Sequence, residues 1–216
     1  MKRTPEPYNL NTRTHWNGVY GDNLKIAEYK AAGTTRISYD GGKTFALDKT
    51  HRFTRALEEV KDGDKIIDIG SGVGNFTKLV KKTYPGCEVW GTDISDVIIQ
   101  TNIIDNPDIT YLEQQIGNQK DVPNDYFDVV FCGETIEHLD QPELLFQDAY
   151  RVLKIGGKLI ITTPNKDHIK SDEHVWFFEK EDVKKLYEDN GFEKVEFVEL
   201  PDTEHLFVIF GIGVKQ

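Results

Sequence analysis

The chain has 216 residues and no apolar run near the ~20 residues that a membrane-spanning helix needs. Its opening, Met1-Lys2-Arg3-Thr4-Pro5-Glu6-Pro7, has none of the apolar core of a secretion signal. Cysteine is scarce. Cys87 and Cys132 each fall in an expected strand, which favours buried thiols over a disulfide. A reducing, cytoplasmic compartment is the expectation. Positive charge is also short, with 26 Lys and Arg against 37 Asp and Glu, a net charge of −11. A broad acidic surface disfavours a groove that tracks nucleic-acid phosphates. The basic group Lys166, His168 and Lys170 reads as a solvated loop. There is no internal repeat, low-complexity segment or linker. Gly-Lys-Ser and Gly-Lys-Thr are absent, which excludes a phosphate-binding P-loop.

What is present is alternation. Short β-branched runs are expected as strands at 65–69, 87–92, 109–112, 126–132 and 158–163. Helical spacing separates them. Phe53, Ala56, Leu57 and Val60 mark a helix running from Asp48 to the stop at Lys61-Asp62-Gly63. Further helices are expected from Asn75 to before Pro85, from Asp96, over 143–153 and over 181–190. Gly156-Gly157 breaks the helix over 143–153, and Gly191 stops the one over 181–190. Strands alternating with helices imply an α/β fold, a doubly wound and mostly parallel sheet. Two closing strands, 194–200 and 206–214, are expected to form an antiparallel C-terminal hairpin, making seven strands in all. An exposed final strand would offer a second copy an edge, so a homodimer is conceivable. Residues 1–45 read as an N-terminal arm or cap on a domain of 46–216. Trp16 and Tyr20, four apart, suit one helix face, either as an anchor or as a lid over a pocket. Asp40-Gly41-Gly42 is a turn signal.

In such a sheet, ligands sit beyond the carboxyl ends of the strands. Three stretches fall there. The first is Asp68-Ile69-Gly70-Ser71-Gly72-Val73-Gly74, a strand end and a bare turn before a helix N-terminus, suited to a nucleotide. A nicotinamide fingerprint would want glycine at position 75, where this chain has Asn75. The second is Asp93, at the spacing from the glycines where a carboxylate accepts hydrogen bonds from ribose hydroxyls. Helix capping is the alternative reading for Asp93. Ile94 beside it would cover an adenine face. The third is Cys132-Gly133-Glu134-Thr135-Ile136-Glu137-His138. On a helix, Glu134, Glu137 and His138 would share a face, and His174 lies in a loop at the same sheet edge. Two carboxylates and two imidazoles would suit a divalent cation such as magnesium. Solvated glutamates and a packed His138 are the alternative.

Together these residues resemble the class I S-adenosyl-L-methionine (SAM)-dependent methyltransferases. Residues 68–74 look like that family's first motif and Thr92-Asp93-Ile94-Ser95 like its second. Phe127-Asp128-Val129-Val130 with Glu137-His138-Leu139 resembles its fourth-strand motif. Leu153-Lys154-Ile155-Gly156-Gly157-Lys158-Leu159 is similar to its Leu-Lys-Pro-Gly-Gly-x-Leu signature, with Ile155 where proline is usual. The family's aspartate after strand three is missing from Glu113-Gln114-Gln115-Ile116-Gly117, so a Gln side chain, with Gln115 the candidate, or a backbone carbonyl would meet the adenine in its place. The resemblance covers about residues 50–200. It implies a Rossmann-like methyltransferase fold and SAM as cofactor. Gly70, Ser71, Gly72 and Gly133 would meet the methionine half, Asp68 its amino end and Asp93 the ribose.

Glu134-x-x-Glu137-His138, followed by Thr163-Pro164-Asn165 and a later His174, is similar to two groups, one of them the O-methyltransferases of ubiquinone biosynthesis. The other is the enzymes that methylate the terminal 2′-hydroxyl of small RNAs, in which two glutamates and two histidines in this arrangement hold a divalent metal, so the resemblance implies Glu134, Glu137, His138 and His174 as ligands here. The resemblance implies a methyl transfer to a hydroxyl of a small-molecule acceptor, with His138 or His174 as base or with a metal assisting. An RNA-end methyltransferase and a SAM-binding relative without catalysis are the alternatives. Tyr8, Trp16, Tyr20, Trp176 and Phe177 are expected to line the acceptor wall or to pack.

Overall fold

The computed structural model describes residues 2–3, 11–22, 51–166, 173–203 and 206–216. Tyr8, the Asp40-Gly41-Gly42 turn, Asp48, His168 and Lys170 lie outside them. In chain order the elements are β1 (Lys2–Arg3), α1 (Arg13–Gly21), α2 (Arg52–Leu57), β2 (Lys65–Ile69) and α3 (Asn75–Thr83). Then follow β3 (Glu88–Asp93), α4 (Asp96–Asp105), β4 (Thr110–Glu113), β5 (Phe127–Gly133) and α5 (Glu143–Val152). The chain closes with β6 (Leu153–Pro164), β7 (Trp176–Phe177), α6 (Lys180–Asp189), β8 (Phe192–Thr203) and β9 (Leu206–Lys215).

Seven strands form one sheet in the order β4-β3-β2-β5-β6-β9-β8. Pairings from β4 through β6 are parallel, and β9 is antiparallel to both β6 and β8. The order reverses at β2 and β5, so the switch point lies between their carboxyl ends. The pleat sorts the core. Ile67, Ile69, Val130, Cys132, Leu159 and Ile161 face α5 and α6, while Ile66, Val129, Phe131 and Ile160 face α2 and α3. Both faces are buried, as parallel strands require.

The structure adjusts several expected boundaries. Helix α2 begins at Arg52, where the His51 ring accepts a hydrogen bond from Phe53 N at 3.2 Å. Helix α5 ends at Val152, because Leu153 already pairs with Phe127 as the first residue of β6. Gly156-Gly157 therefore lies within the strand and does not end the helix. Leu144 is only half-buried, and the unexpected Phe146 takes its place in the core. Cys87 precedes β3 by one residue; both cysteines are buried and free. The final strand is not an edge. Strand β9 is interior, and the edge is β8, whose exposed Glu193, Lys194, Glu196 and Glu199 oppose pairing with another copy. No helix among the described residues is long and apolar enough to cross a membrane.

Trp16 and Tyr20 do share a face of α1, with ring centroids 5.9 Å apart. Val19 and Tyr20 pack with Val73 and Ile98, which docks α1 on α4 and the glycine turn. At the other end of the sheet, the fully buried Tyr187 of α6 rests on β9. Gly211 and Gly213 make room for its ring, and its hydroxyl lies 2.8 Å from Gly211 O and 3.2 Å from Leu159 O. Tyr187→Phe removes that donor at constant ring packing and is expected to cost about 1 kcal/mol. Tyr187→Ala is expected to cost about 3–5 kcal/mol. Denaturant unfolding of the two variants checks both values.

Candidate cofactor and acceptor site

Beyond β2 the chain makes a tight turn. Gly70 N and Ser71 N both donate to Thr92 O, at 2.8 Å each, which ties the turn to β3. Gly70 adopts φ +78°, and a Cβ there would fall 2.6 Å from Thr135 Oγ1. Only glycine meets both conditions. Gly72 N donates to Asp93 Oδ2 at 2.9 Å, and Ser95 N donates to Asp93 Oδ1 at 3.0 Å. Ser95, not Asp93, caps α4, by accepting from Ile98 N. The capping alternative for Asp93 therefore falls. Burial pushes the Asp93 carboxyl up to about 6, against the pull of the Ser95, Gly72 and Ile94 N–H groups. Asp68 is also buried, and its carboxyl is raised well above the usual range by burial and by the charge of Asp93.

Two adjoining lobes open over these groups. One is bordered by Asp93, Ile94, Gln115 and Ile116. The other is bordered by Asp68, Ser71, Gly72, Gly133, Glu137 and His174. Trp16, Tyr20, Gly70, Glu134 and His138 border both. Every cofactor, metal and catalytic residue expected from the sequence thus borders this double cavity. Of the aromatics expected at the acceptor wall, Trp16 and Tyr20 border it, whereas Trp176 packs on the core and donates to Leu139 O, and Phe177 borders neither lobe.

The segment after β5 departs from expectation. It does not start an α-helix. Glu134 sits in the left-handed region at φ +52°, and only Ile136–His138 makes a 3-10 turn. The shared helical face of Glu134, Glu137 and His138 therefore does not form. Thr162 Oγ1 instead donates to Glu134 Oε1 at 3.0 Å. Glu137, His138 and His174 do come together, each offering a ligand atom within 4.8 Å of the others, and Glu134 stands outside that group. Glu137 is buried and accepts from Thr163 Oγ1 at 2.9 Å through Oε2, while its Oε1 has no hydrogen-bond partner among the described residues. Burial, with the nearby Glu134 charge, raises its carboxyl well above the usual range. His138 Nδ1 donates to Glu173 O at 2.9 Å, which leaves Nε2 without the proton. Burial lowers the His138 pKa.

Helix α1 walls the cavity. Trp16 meets His138 edge-on at 5.3 Å. Asn17 accepts from Ser95 Oγ at 2.7 Å and donates to Asp96 at 2.6 Å. Arg13 pairs with Glu113, and His15 Nε2 lies 3.3 Å from Glu173. Sequence reasoning missed Thr135, which packs on Gly70, and Arg52, which borders the second lobe. The Arg52 guanidinium lies over the Phe53 ring at 5.0 Å and has no ion-pair partner among the described residues. No motif marks either residue.

A family model described as a methyltransferase domain matches residues 43–197. The chain belongs to that family, the class I SAM-dependent methyltransferases. Phosphoethanolamine N-methyltransferase 3 of Arabidopsis thaliana is 29% identical over 170 residues, covering 68% of this chain and 32% of that protein. The ubiquinone/menaquinone biosynthesis C-methyltransferase UbiE of Burkholderia mallei is 28% identical over 144 residues, covering 65% of this chain and 54% of that protein. The methyltransferase domain thus spans about a third to a half of these curated relatives. Phosphoethanolamine N-methyltransferase 2 of Haemonchus contortus, solved with S-adenosyl-L-methionine, superposes with a TM-score of 0.72 at 17% identity, over 94% of this chain and 59% of that one. That likeness establishes the shared fold.

Gly70→Ala in this domain combines a strained φ with a clash at Thr135. It is expected to lower stability by about 1–3 kcal/mol, read as a fall in melting temperature.

Proposed function

We propose that the domain binds SAM across the two lobes and transfers its methyl group to a hydroxyl of a small-molecule acceptor. The observation that carries this reading is the meeting of the lobes at Gly70, with Asp93 on one side and the His138 group on the other. Ribose hydroxyls would donate to Asp93, with adenine between Ile94 and the Gln115 segment. The methionine end would follow the glycine turn past Gly72 and Gly133. Its ammonium would find Asp68, and its carboxylate would find Arg52. Each pairing joins opposite charges in a partly dry site.

Methyl transfer forms an oxygen–carbon bond as the sulfur–carbon bond breaks, leaving S-adenosylhomocysteine. The acceptor proton must leave as well. His138 Nε2 can take it, since Nδ1 is held as a donor by Glu173 O. Trp16 and Tyr20 would exclude water and fix the line of attack. Glu137, His138 and His174 also fit a divalent cation, and two imidazoles with one carboxylate suit a borderline ion such as zinc better than magnesium, which takes an oxygen shell. Glu137 Oε1, buried and without a hydrogen-bond partner among the described residues, is the atom such an ion would satisfy. When bound, the ion would supply a lowered pKa to the acceptor hydroxyl. An amine acceptor is the second reading, supported by the N-methyltransferase activity named for the Arabidopsis and Haemonchus relatives. The net charge of −11 counts against an RNA end.

Two tests follow. Ribose hydroxyls donate to an ionised carboxylate, so protons and cofactor compete at Asp93. SAM affinity is expected to fall as the pH drops through about 6, where Asp93 takes up a proton, and protonation of Asp68, also raised by burial and set to meet the ammonium, adds a loss of its own. Asp93→Asn is expected to bind more weakly and to lose the part of the fall centred near pH 6. Calorimetric titration at pH 5 to 8 checks this. The second test concerns the acceptor proton. Activity that survives exhaustive chelation but is lost about 10²–10⁴-fold in His138→Gln assigns the proton to imidazole. Activity lost on chelation and restored by zinc or magnesium assigns it to the ion. SAM binding without product from any hydroxyl or amine acceptor would overturn methyl transfer.

A further inference from the structure

Helix α4 carries one inward residue that its core position does not call for. Ser95, Ile98, Ile99 and Asn102 follow helical spacing, and all four are buried. Ser95 caps the helix, and Ile98 and Ile99 fill apolar clusters on either side of it. Asn102 places a primary amide at full burial. Its Nδ2 donates to Gly72 O at 2.8 Å. Its Oδ1 is buried with no hydrogen-bond partner among the described residues. An unmet buried acceptor costs stability, and an apolar side chain of similar size would avoid that cost. What the amide does make is the bond from its N–H to the Gly72 carbonyl.

What it does is grip the glycine turn. The Gly72 N–H lies on Asp93 Oδ2, and the Gly72 carbonyl lies on Asn102. One peptide residue is thus held from β3 and from α4. Gly72 has φ +49°, and the Tyr20 hydroxyl stands 3.0 Å from where its Cβ would be. A turn with glycine at every second position has little local rigidity, so outside contacts must supply it.

We propose that Asn102 is a positioning residue for the cofactor. Anchoring the Gly72 carbonyl keeps the Gly72 N–H on Asp93, which fixes the angle at which that carboxylate receives the ribose. This rests on the cofactor reading above. Asn102 itself touches no reacting atom.

The test is calorimetric titration of S-adenosylhomocysteine into the full chain and into Asn102→Leu and Asn102→Asp, with thermal melts of each. Asn102→Leu loses the unmet oxygen together with the donor. It also leaves the Gly72 carbonyl without its donor, so it is expected to melt near wild type yet to bind about tenfold more weakly. Asn102→Asp sets a carboxylate against the Gly72 carbonyl at pH 8, and a protonated carboxyl can donate to it at pH 5. Its affinity relative to wild type at the same pH is expected to recover as the pH falls. Asn102→Asp gives the answer even if the leucine variant does not fold. Affinities within twofold of wild type overturn the proposal. So does a loss that tracks melting temperature and keeps the same ratio to wild type at both pH values. A wild-type chain that binds no S-adenosylhomocysteine overturns the cofactor reading, and the role of Asn102 with it. Wild-type binding with unaffected variants overturns the role of Asn102 alone.

Discussion

The Gly72 N–H bond to the Asp93 carboxylate joins the ends of the two strands from which the crevice opens. Strands β2 and β3 run side by side up to Ile69 and Thr92, and the chain then leaves each in a different direction. A buried carboxylate at that point is costly unless donors surround it. The backbone N–H groups of Ser95, Gly72 and Ile94 do so, yet burial still pushes the Asp93 carboxyl up to about 6. The apoprotein therefore holds an acid that is only partly satisfied. Ligand hydroxyls would complete its shell, which is why the same carboxylate can order the turn and read a ribose.

A second constraint comes from α1. Its polar tie to the start of α4, beside the apolar packing of Val19 and Tyr20 on Ile98, is Asn17, which bonds both Ser95 and Asp96. Ser95 in turn donates its N–H to Asp93. The wall over the cavity and the carboxylate beneath it thus share a residue. Trp16 and Tyr20 then bring aromatic area to both lobes at once. On the proposed reading, this arrangement would orient the acceptor, because attack must follow the line of the breaking bond.

Much of the fold could be read from the sequence, because the central strands are β-branched runs closed by glycine, proline or charge. Residues 65–69 come out as expected because Ile66, Ile67 and Ile69 favour no other element. Strand order was less accessible. That β9 inserts between β6 and β8 depends on long-range pairing, which no local pattern encodes. The glycine turn and Asp93 were legible because their chemistry is carried by spacing. Glu134 was misread because i, i+3 and i+4 spacing has its helical meaning only inside a helix. The chain turns left-handed at Glu134 instead, with Thr162 holding the side chain. Arg52 and Asn102 carried no signal, since each works through a partner far away in sequence.

The central claim is that Asp93 receives a ribose at the end of β3. A crystal structure with S-adenosylhomocysteine bound tests it most directly. The account predicts both ribose hydroxyls within about 2.5–3.0 Å of the Asp93 carboxylate oxygens, with the Gly72 N–H still on Oδ2. A nucleoside bound away from Asp93, or a Gly72 peptide turned off the carboxylate, would contradict it.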